Sequence, residues 1–139
     1  MYSNTTRQIE YNSNSDTGLG RLDQVIASAS NHNVKLFLTL TNNWHAYGGI
    51  DWYIKTFNGS YHDEFYTNPN IIAAYKSYMS FVLNHVNSIT GVTYKDDPTI
   101  MAFELVNEPR CSGTGAYPAS NSCVSATLTG WLRRSQHVF

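Results

Sequence analysis

Apolar side chains recur every three to four residues in two stretches of the chain, which is the spacing of amphipathic helices. The first stretch follows Asp16, which offers a capping residue, and ends at Asn31-His32-Asn33. The second begins at Asn68-Pro69, a cap with proline at the first helical position, and is expected to end at Thr90-Gly91. A third helix is expected from Ala126 onward. The apolar positions of the first two helices are Leu19, Leu22, Val25, Ile26 and Ala29, then Ile72, Tyr75, Met79, Val82 and Val86.

Two short apolar runs between these helices, Val34–Leu40 and Thr99–Val106, are expected to be buried strands. A long polar and aromatic segment, Thr41–Asn68, follows the first strand and has a predicted helical turn near Asp51–Phe57. A loop rich in glycine, serine and proline follows the second strand and runs to about Ser125. Loops of this length in compact domains are usually functional.

The order of the elements is therefore helix, strand, loop, helix, strand, loop, helix. This alternation predicts an α/β fold, in which helices pack outside a parallel sheet. In a (β/α)8 barrel and in a doubly wound open sheet alike, the loops that follow the strands form the active-site face. Because a barrel needs roughly 250 residues, this chain of 139 residues would supply about three of its eight units. The pattern alone leaves a complete small α/β domain open.

Charged residues make up only 14% of the sequence, and the formal net charge is −1. This balance gives no electrostatic reason to expect nucleic acid or an anionic membrane as a partner. Aromatic residues also make up 14%, with ten tyrosines and three tryptophans. They fit either a tyrosine-rich core and surface or a sugar-binding site. The five histidines are scattered, and Cys111 and Cys123 have no metal-ligand spacing, so no metal site is expected.

Two glycosylation sequons, at Asn4 and Asn58, suggest the secretory pathway together with the two cysteines. In a secreted protein, Cys111 and Cys123 are expected to be oxidised to a disulfide. The chain begins with polar residues rather than a signal peptide, and no apolar run approaches the length of a membrane span. A missing N-terminus would reconcile a secreted protein with the absent signal.

A candidate catalytic group, Glu108, stands in Asn107-Glu108-Pro109 directly after the second predicted strand. A carboxyl group at this edge of a sheet can protonate a leaving oxygen, and the amide of Asn107 can bind a sugar hydroxyl. The alternative for Glu108 is a solvated turn residue. Glycoside hydrolysis requires two carboxyl groups, roughly 5–5.5 Å apart in retaining enzymes and 6.5–9.5 Å apart in inverting ones.

The other carboxylates do not supply the second group. Glu104 lies four residues earlier on the same strand, about 13 Å away at ~3.3 Å per residue, and is expected to be buried and hydrogen-bonded or ion-paired. Asp51, Asp63 and Glu64 lie in the long first loop, where we expect them to be solvated. No glutamate follows Glu108 in the chain.

The sequence resembles glycoside hydrolase family five, and within it the endo-1,4-β-mannanases. The resemblance covers nearly the whole chain, from about Gly18 to Trp131. Asn-Glu-Pro is shared by many related barrels, whereas its extension to Cys111 and the Asn-Asn-Trp of the preceding strand are more specific to mannanases. The matching motifs are Gly18-Leu19, Leu22-Asp23, Val34-Lys35-Leu36, Thr41-Asn42-Asn43-Trp44, Tyr47-Gly48-Gly49, Phe65-Tyr66-Thr67-Asn68, Ala102-Phe103-Glu104-Leu105 and Asn107-Glu108-Pro109-Arg110-Cys111.

This resemblance implies a (β/α)8 TIM barrel, of which residues 1–139 would be a fragment of the single catalytic domain, about strands three and four with their helices. It implies a secreted, monomeric enzyme that cleaves internal β-1,4 links of plant cell-wall mannan with retention and needs no metal or cofactor. Glu108 would be the acid/base and Asn107 a sugar-binding residue. Trp44 would contact sugar or pack as a loop aromatic, and Arg110 would line a leaving-group subsite or anchor the loop. The segment with Cys111 and Cys123 looks most like the fungal members.

The departures from the family pattern point to an incomplete chain. The family's nucleophile is expected after Phe139, its first two strands before this chain, and residues 133–139 diverge from the expected helix. Expressed alone, the chain is therefore expected to be inactive on mannan and poorly soluble. The alternatives are an endo-β-1,4-glucanase of the same family and a non-catalytic sugar-binding remnant that keeps Trp44, Asn107 and Arg110.

Overall fold

The computed structural model describes Tyr2, Ser3 and residues 8–135, and the side chains from Ile9 onward. Helices and strands follow the predicted order, with an additional pair of short antiparallel strands before the first helix. The elements are β1 Tyr2–Ser3, β2 Gln8–Ile9, α1 Leu19–Asn31, β3 Leu36–Thr39, α2 Gly49–Thr56, α3 Glu64–Thr67, α4 Pro69–Leu83, a 3₁₀ turn Tyr94–Asp96, β4 Ile100–Glu104 and α5 Ser125–Ser135. Among the described helices, none has the length and apolar character that crossing a membrane would require.

Two compact units make up the chain, and the boundary between them passes through β3, α4 and β4. The first unit contains the described residues up to Leu38 together with 78–103, and the second contains 39–77 and the described residues from 104 onward. Strands β3 and β4 are hydrogen-bonded neighbours. In the first unit Leu36 N–H donates to the Thr99 carbonyl, and in the second Leu40 N–H donates to the Glu104 carbonyl.

In the first unit, helix α1 begins at Leu19 and its N-cap residue is Gly18, with no side-chain cap, so Asp16 does not have the predicted capping role. Asn14 holds this turn instead, since its side-chain oxygen accepts from the backbone N–H groups of Asp16 at 2.7 Å and Thr17 at 3.1 Å. A short polar side chain that binds nearby backbone groups competes with a conventional cap. Further along α1, Ile26 is fully buried.

Helix α4 ends at Leu83 rather than at the predicted Thr90-Gly91. After it the chain folds back on itself, with an antiparallel bridge between Val86 and Thr93. The side-chain oxygen of Asn87 accepts from the backbone N–H groups of Ile89 and Thr90, so it closes the turn. The helical spacing of apolar residues continues to Val86. The Val86 side chain is nevertheless 53% exposed, because the helix has already ended at Leu83.

The second unit has an aromatic core, which explains much of the tyrosine-rich composition. Trp131 of α5 stacks on Tyr75 of α4 with ring centroids 5.8 Å apart, and contacts Phe65 and Tyr66 of α3 at 5.4 and 5.3 Å. Tyr53 of α2 meets Phe65 edge-on at 5.3 Å. All five rings are buried, and such pairs add about 0.5–1.5 kcal/mol each beyond the buried area.

The strands are shorter and less buried than predicted. Residues of β3 alternate between half-buried and exposed, and Phe37 and Met101 are 64% and 58% exposed. The prediction that Glu104 is buried is wrong, but it is hydrogen-bonded, since Thr39 Oγ1 donates to its Oε2 at 2.6 Å. Successive side chains of a strand point to opposite faces, and only one face of this pair is packed.

The prediction that the carboxylates of the long first loop are solvated is wrong for Asp51 and Asp63, which are 6% and 3% exposed. Asp63 accepts hydrogen bonds from Ser120 N–H and Oγ, both at 2.6 Å. Glu64 is half-buried and accepts from the backbone N–H groups of Ser60 and Tyr61. A carboxylate can be buried when donors face it, and for Asp63 a later loop of the chain supplies them.

Candidate active site

The pairing of the two strands continues past their ends and brings the two predicted site segments together. Asn42 and Asn107 form a parallel bridge. Asn107 N–H donates to the Thr41 carbonyl at 2.9 Å, and Asn43 N–H donates to the Asn107 carbonyl at 3.1 Å. Because parallel strands end at the same edge, Trp44 and Glu108 are placed side by side.

The Glu108 carboxylate has two close partners, and both were predicted site residues. Trp44 Nε1 donates to Glu108 Oε2 at 2.8 Å, and Arg110 Nη2 lies 3.6 Å from the same oxygen. The Arg110 guanidinium also lies over the Trp44 ring, 5.2 Å from its centroid, within cation–π range. The three side chains therefore form one cluster, which we call the Glu108 cluster.

The Glu108 cluster is open to solvent. The side chains of Arg110 and Glu108 are 59% and 53% exposed. An ion pair this exposed contributes at most about 1 kcal/mol to stability. The ion pair therefore orients the Glu108 carboxylate rather than stabilising the fold.

Asn107 lies beside the cluster, and Asn42 holds its side chain. Asn107 Nδ2 donates to Asn42 Oδ1 at 3.1 Å, and the same oxygen accepts from Trp44 N–H at 3.2 Å. Asn42 thus links the Trp44 backbone to the residue that precedes Glu108. Sequence reasoning quoted Asn42 only as part of a motif and gave it no role.

The backbone of Glu108 has φ of 49°, in the left-handed region that non-glycine residues rarely adopt. Residues held in this conformation store about 1–3 kcal/mol of strain and concentrate at functional sites. The turn that aims the carboxylate at Trp44 is therefore a strained one.

This strain predicts a difference between two variants that both remove the carboxylate. Asn tolerates the left-handed region better than Gln does, so Glu108→Asn should be more stable than Glu108→Gln by about 0.5–1 kcal/mol. Chemical denaturation of the two variants measures this difference directly. Equal stabilities would show that the turn is not strained.

Beneath the cluster lies a buried polar layer that sequence reasoning did not find. It comprises four buried side chains, Asn43, Asp51, His62 and Tyr66. His62 Nδ1 lies 3.0 Å from Asp51 Oδ1, and His62 Nε2 lies 3.1 Å from Asn43 Oδ1. Burial, with a smaller contribution from the Asp63 charge, raises the pKa of Tyr66. The sequence contained one signal for this layer: Asn42 and Asn43 follow a strand, and polar residues at that position face the loops.

The loop after Glu108 is closed by a disulfide between Cys111 and Cys123, which confirms the predicted pairing. Two glycines of this loop pack against the buried polar layer. A Cβ on Gly113 would lie 2.5 Å from the His62 ring, and one on Gly115 would lie 1.4 Å from Asp51 Oδ2. Only glycine fits at these two positions, so the loop lies directly on the His62–Asp51 pair.

Removing the disulfide is expected to destabilise the protein. The bridge closes a loop with a sequence separation of 12. The chain-entropy model gives about 3 kcal/mol for a loop of this size. Cys111→Ser combined with Cys123→Ser should lower the free energy of unfolding by roughly that amount in a denaturant titration. A loss below about 0.5 kcal/mol would mean that the buried contacts alone hold the loop.

Comparison with known families decides the relationship. The family described as GH family 5 beta-mannosidase-like matches residues 5–136. The chain belongs to this family. The resemblance noted from the sequence motifs is thus confirmed, and the (β/α)8 barrel is the fold to which these βα units belong.

Relatives of this chain include endo-mannanases from fungi and plants. An endo-1,4-beta-mannanase of Rhizomucor miehei is 49% identical with a TM-score of 0.96, and the match covers 99% of this chain and 38% of that one. The mannan endo-1,4-beta-mannosidase 8 of Oryza sativa subsp. japonica is 43% identical, over 80% of this chain and 29% of its own length. A probable mannan endo-1,4-beta-mannosidase C of Aspergillus terreus is 41% identical, over 87% and 29%. The chain thus spans less than two fifths of the length of these three family members.

Proposed function

We propose that the whole protein is a retaining endo-β-1,4-mannanase in which Glu108 is the general acid/base. The observation that carries this proposal is the placement of the Glu108 carboxylate after β4, oriented by Trp44 Nε1 at 2.8 Å and by Arg110. The relatives named as mannan endo-1,4-beta-mannosidases support the same substrate and do not favour the glucanase alternative.

In this mechanism Glu108 acts twice. As the C1–O bond of the mannan breaks, its carboxyl proton passes to the leaving glycosidic oxygen while a second carboxylate bonds to C1. A water molecule then attacks C1, Glu108 takes its proton, and the bond to the second carboxylate breaks. Two inversions give net retention. The exposed position of Glu108 suits both steps, since the leaving chain and then the water must reach it.

The neighbours of Glu108 are suited to holding a sugar chain. The Trp44 indole presents a flat apolar ring whose N–H is used by Glu108. Arg110 supplies donors for sugar hydroxyls on the leaving-group side. Asn107 Nδ2 is bound to Asn42, so we expect a substrate hydroxyl to donate to the Asn107 side-chain oxygen.

The second carboxylate is expected from a part of the protein beyond these residues. Glu104 is unsuited to the role, because its Oε2 accepts from Thr39 and four residues along a strand span about 13 Å. The nucleophile of a retaining enzyme lies roughly 5–5.5 Å from the acid. We therefore still expect residues 1–139 alone to be inactive on mannan.

Hydrolysis of purified polysaccharides by the whole protein tests this proposal. Mannan should be cleaved with a rapid fall in viscosity and a slower rise in reducing ends, as internal cleavage requires, and cellulose should be cleaved much more slowly. Faster turnover of cellulose would make the protein a glucanase. Binding of mannan without any turnover would leave only a sugar-binding role.

We further propose that the protein is secreted and acts as a monomer. The cross-linked cysteines and the exposed sequon at Asn58 support secretion. The second sequon, at Asn4, lies outside the described residues. Treatment of the secreted protein with a glycosidase specific for N-linked glycans should lower its mass, and Asn58→Gln should remove that part of the shift.

A further inference from the structure

We infer that Asn43 is a positioning residue for Glu108, and that the Asp51–His62 pair holds Asn43 in the orientation this requires. The inference rests on the proposed function of Glu108 as an acid. Asn43 does not touch Glu108 itself. It acts through the backbone of residues 107–112, the segment that carries the acid.

Asn43 contacts this segment at three backbone points. Its N–H donates to the Asn107 carbonyl at 3.1 Å, and its Nδ2 donates to the Ser112 carbonyl at 3.1 Å. Its Oδ1 accepts from Arg110 N–H at 3.0 Å. These bonds lie on both sides of Glu108, whose left-handed backbone would relax if it were not held. Asn43 is fully buried, so water cannot replace the bonds.

The orientation of the Asn43 amide is determined by its backbone partners. A carbonyl oxygen such as that of Ser112 only accepts, and the Arg110 N–H only donates. Oδ1 therefore also faces His62 Nε2 at 3.1 Å and the Tyr66 hydroxyl at 3.4 Å, and both must donate to it. His62 consequently carries a proton on Nε2.

Counting protons across His62 then shows why Asp51 lies on its other side. With Nε2 protonated, one further proton must lie between Nδ1 and Asp51 Oδ1, which are 3.0 Å apart. It makes the pair neutral overall, whether it resides on the imidazole or on the carboxyl group. Buried groups of this kind persist only when they are paired. His45 also lies near the pair, with its Nδ1 3.8 Å from Asp51 Oδ2.

The pair is also held from outside by the disulfide-closed loop. Gly113 packs on the His62 ring and Gly115 on Asp51, with no space for a side chain at either position. His62 N–H donates to the Pro118 carbonyl of the same loop at 2.9 Å. The disulfide-closed loop thus contacts the Asp51–His62 pair, and His62 contacts Asn43. Asn43 in turn binds residues 107–112, the segment that carries Glu108.

Kinetics of four variants of the whole protein test the inference. Misplacing a catalytic group by about 1 Å can cost 10²-fold, so Asn43→Ala should lower kcat on mannan by about 10²-fold with little change in KM. The loss should be much smaller for the glycosylation step of an aryl mannoside with a very acidic leaving group, since that step needs little protonation. His62→Phe should show the same pattern. Asp51→Asn should retain most activity, because its amide can donate to His62 Nδ1 while Nε2 still donates to Asn43.

Asp63→Asn is the matched control, because Asp63 is equally buried but binds Ser120 and not Asn43. Asp63→Asn should reduce stability, and any loss of kcat should be the same on mannan and on the aryl mannoside. If Asn43→Ala behaved like Asp63→Asn, Asn43 would be merely structural and the inference would be wrong. If the protein cleaved another glycan instead of mannan, the proposed substrate would fail, but the leaving-group comparison on the matching aryl glycoside would still test Asn43.

A measurement on the unmodified protein avoids any failure of the variants to fold. Nitrogen NMR of protein labelled at histidine should show His62 Nε2 protonated and coupled to its hydrogen across neutral pH. An unprotonated Nε2 would overturn the assigned orientation of Asn43.

Discussion

Glu108→Gln in the whole protein is expected to lower kcat on mannan by about 10³-fold while the polysaccharide is still bound. Glutamine keeps the size of the side chain and can still meet Trp44 and Arg110, but it cannot donate the proton that the leaving oxygen needs. An aryl mannoside with a very acidic leaving group needs little protonation. The burst of phenol release, which reports the glycosylation step, should therefore be largely preserved.

Two comparisons make this result specific. Arg110→Lys keeps a positive charge beside Glu108 and should lose far less activity, mainly through KM, if Arg110 contacts the leaving chain. Equal losses of Glu108→Gln on mannan and in the aryl mannoside burst would argue against an acid role and would favour a structural role for the carboxylate.

Asp23→Ala is expected to lower the free energy of unfolding by about 3–5 kcal/mol, because it leaves several buried donors without an acceptor. Asp23 lies in α1 and is 1% exposed. Its carboxylate accepts from Tyr94 OH at 2.7 Å, from Ser88 Oγ at 2.7 Å and N–H at 3.0 Å, and from His85 Nε2 at 2.9 Å. These bonds tie α1 to the turn that follows α4. A denaturant titration measures the loss.

The control is Asp16→Ala in the exposed turn before α1, which should change stability by no more than about 0.5 kcal/mol. A similarly small effect for Asp23→Ala would mean that the network contributes little. Burial acts against ionisation of Asp23, but the hydrogen bonds from Ser88, Tyr94 and His85 outweigh it and lower its pKa. This stabilisation is therefore full above the unfolded value of about 3.9 and is lost as the pH falls through the lower folded value.

The order of the elements and the position of Glu108 could be predicted from the sequence because both depend on local patterns. Apolar periodicity places α1 and the start of α4, and polar residues directly after two strands must meet where parallel strands end. Glu108 was found from its position after the second strand, whereas Trp44 and Arg110 were named because of the resemblance to glycoside hydrolase family five. The disulfide followed from the expectation of secretion.

The buried polar layer could not be predicted in the same way. Asp51 and Asp63 look solvated in a polar loop, but their burial depends on contacts with His62 and Ser120, which lie 11 and 57 residues away along the chain. The end of α4 was missed because the side chain of Asn87 closes a turn while the apolar spacing still continues. In both cases bonds between side chains and backbone override the pattern of hydrophobicity.

The measurement that tests the central claim most directly is the product formed by Glu108→Ala in the presence of azide. Azide is already anionic and needs no general base, so it can attack the glycosyl intermediate in place of water. If Glu108 is the acid/base of a retaining enzyme, azide should accelerate turnover of an activated aryl β-mannoside and yield β-mannosyl azide. An α-mannosyl azide would instead make Glu108 the nucleophile, and no acceleration with unchanged mannan hydrolysis would contradict a catalytic role for Glu108.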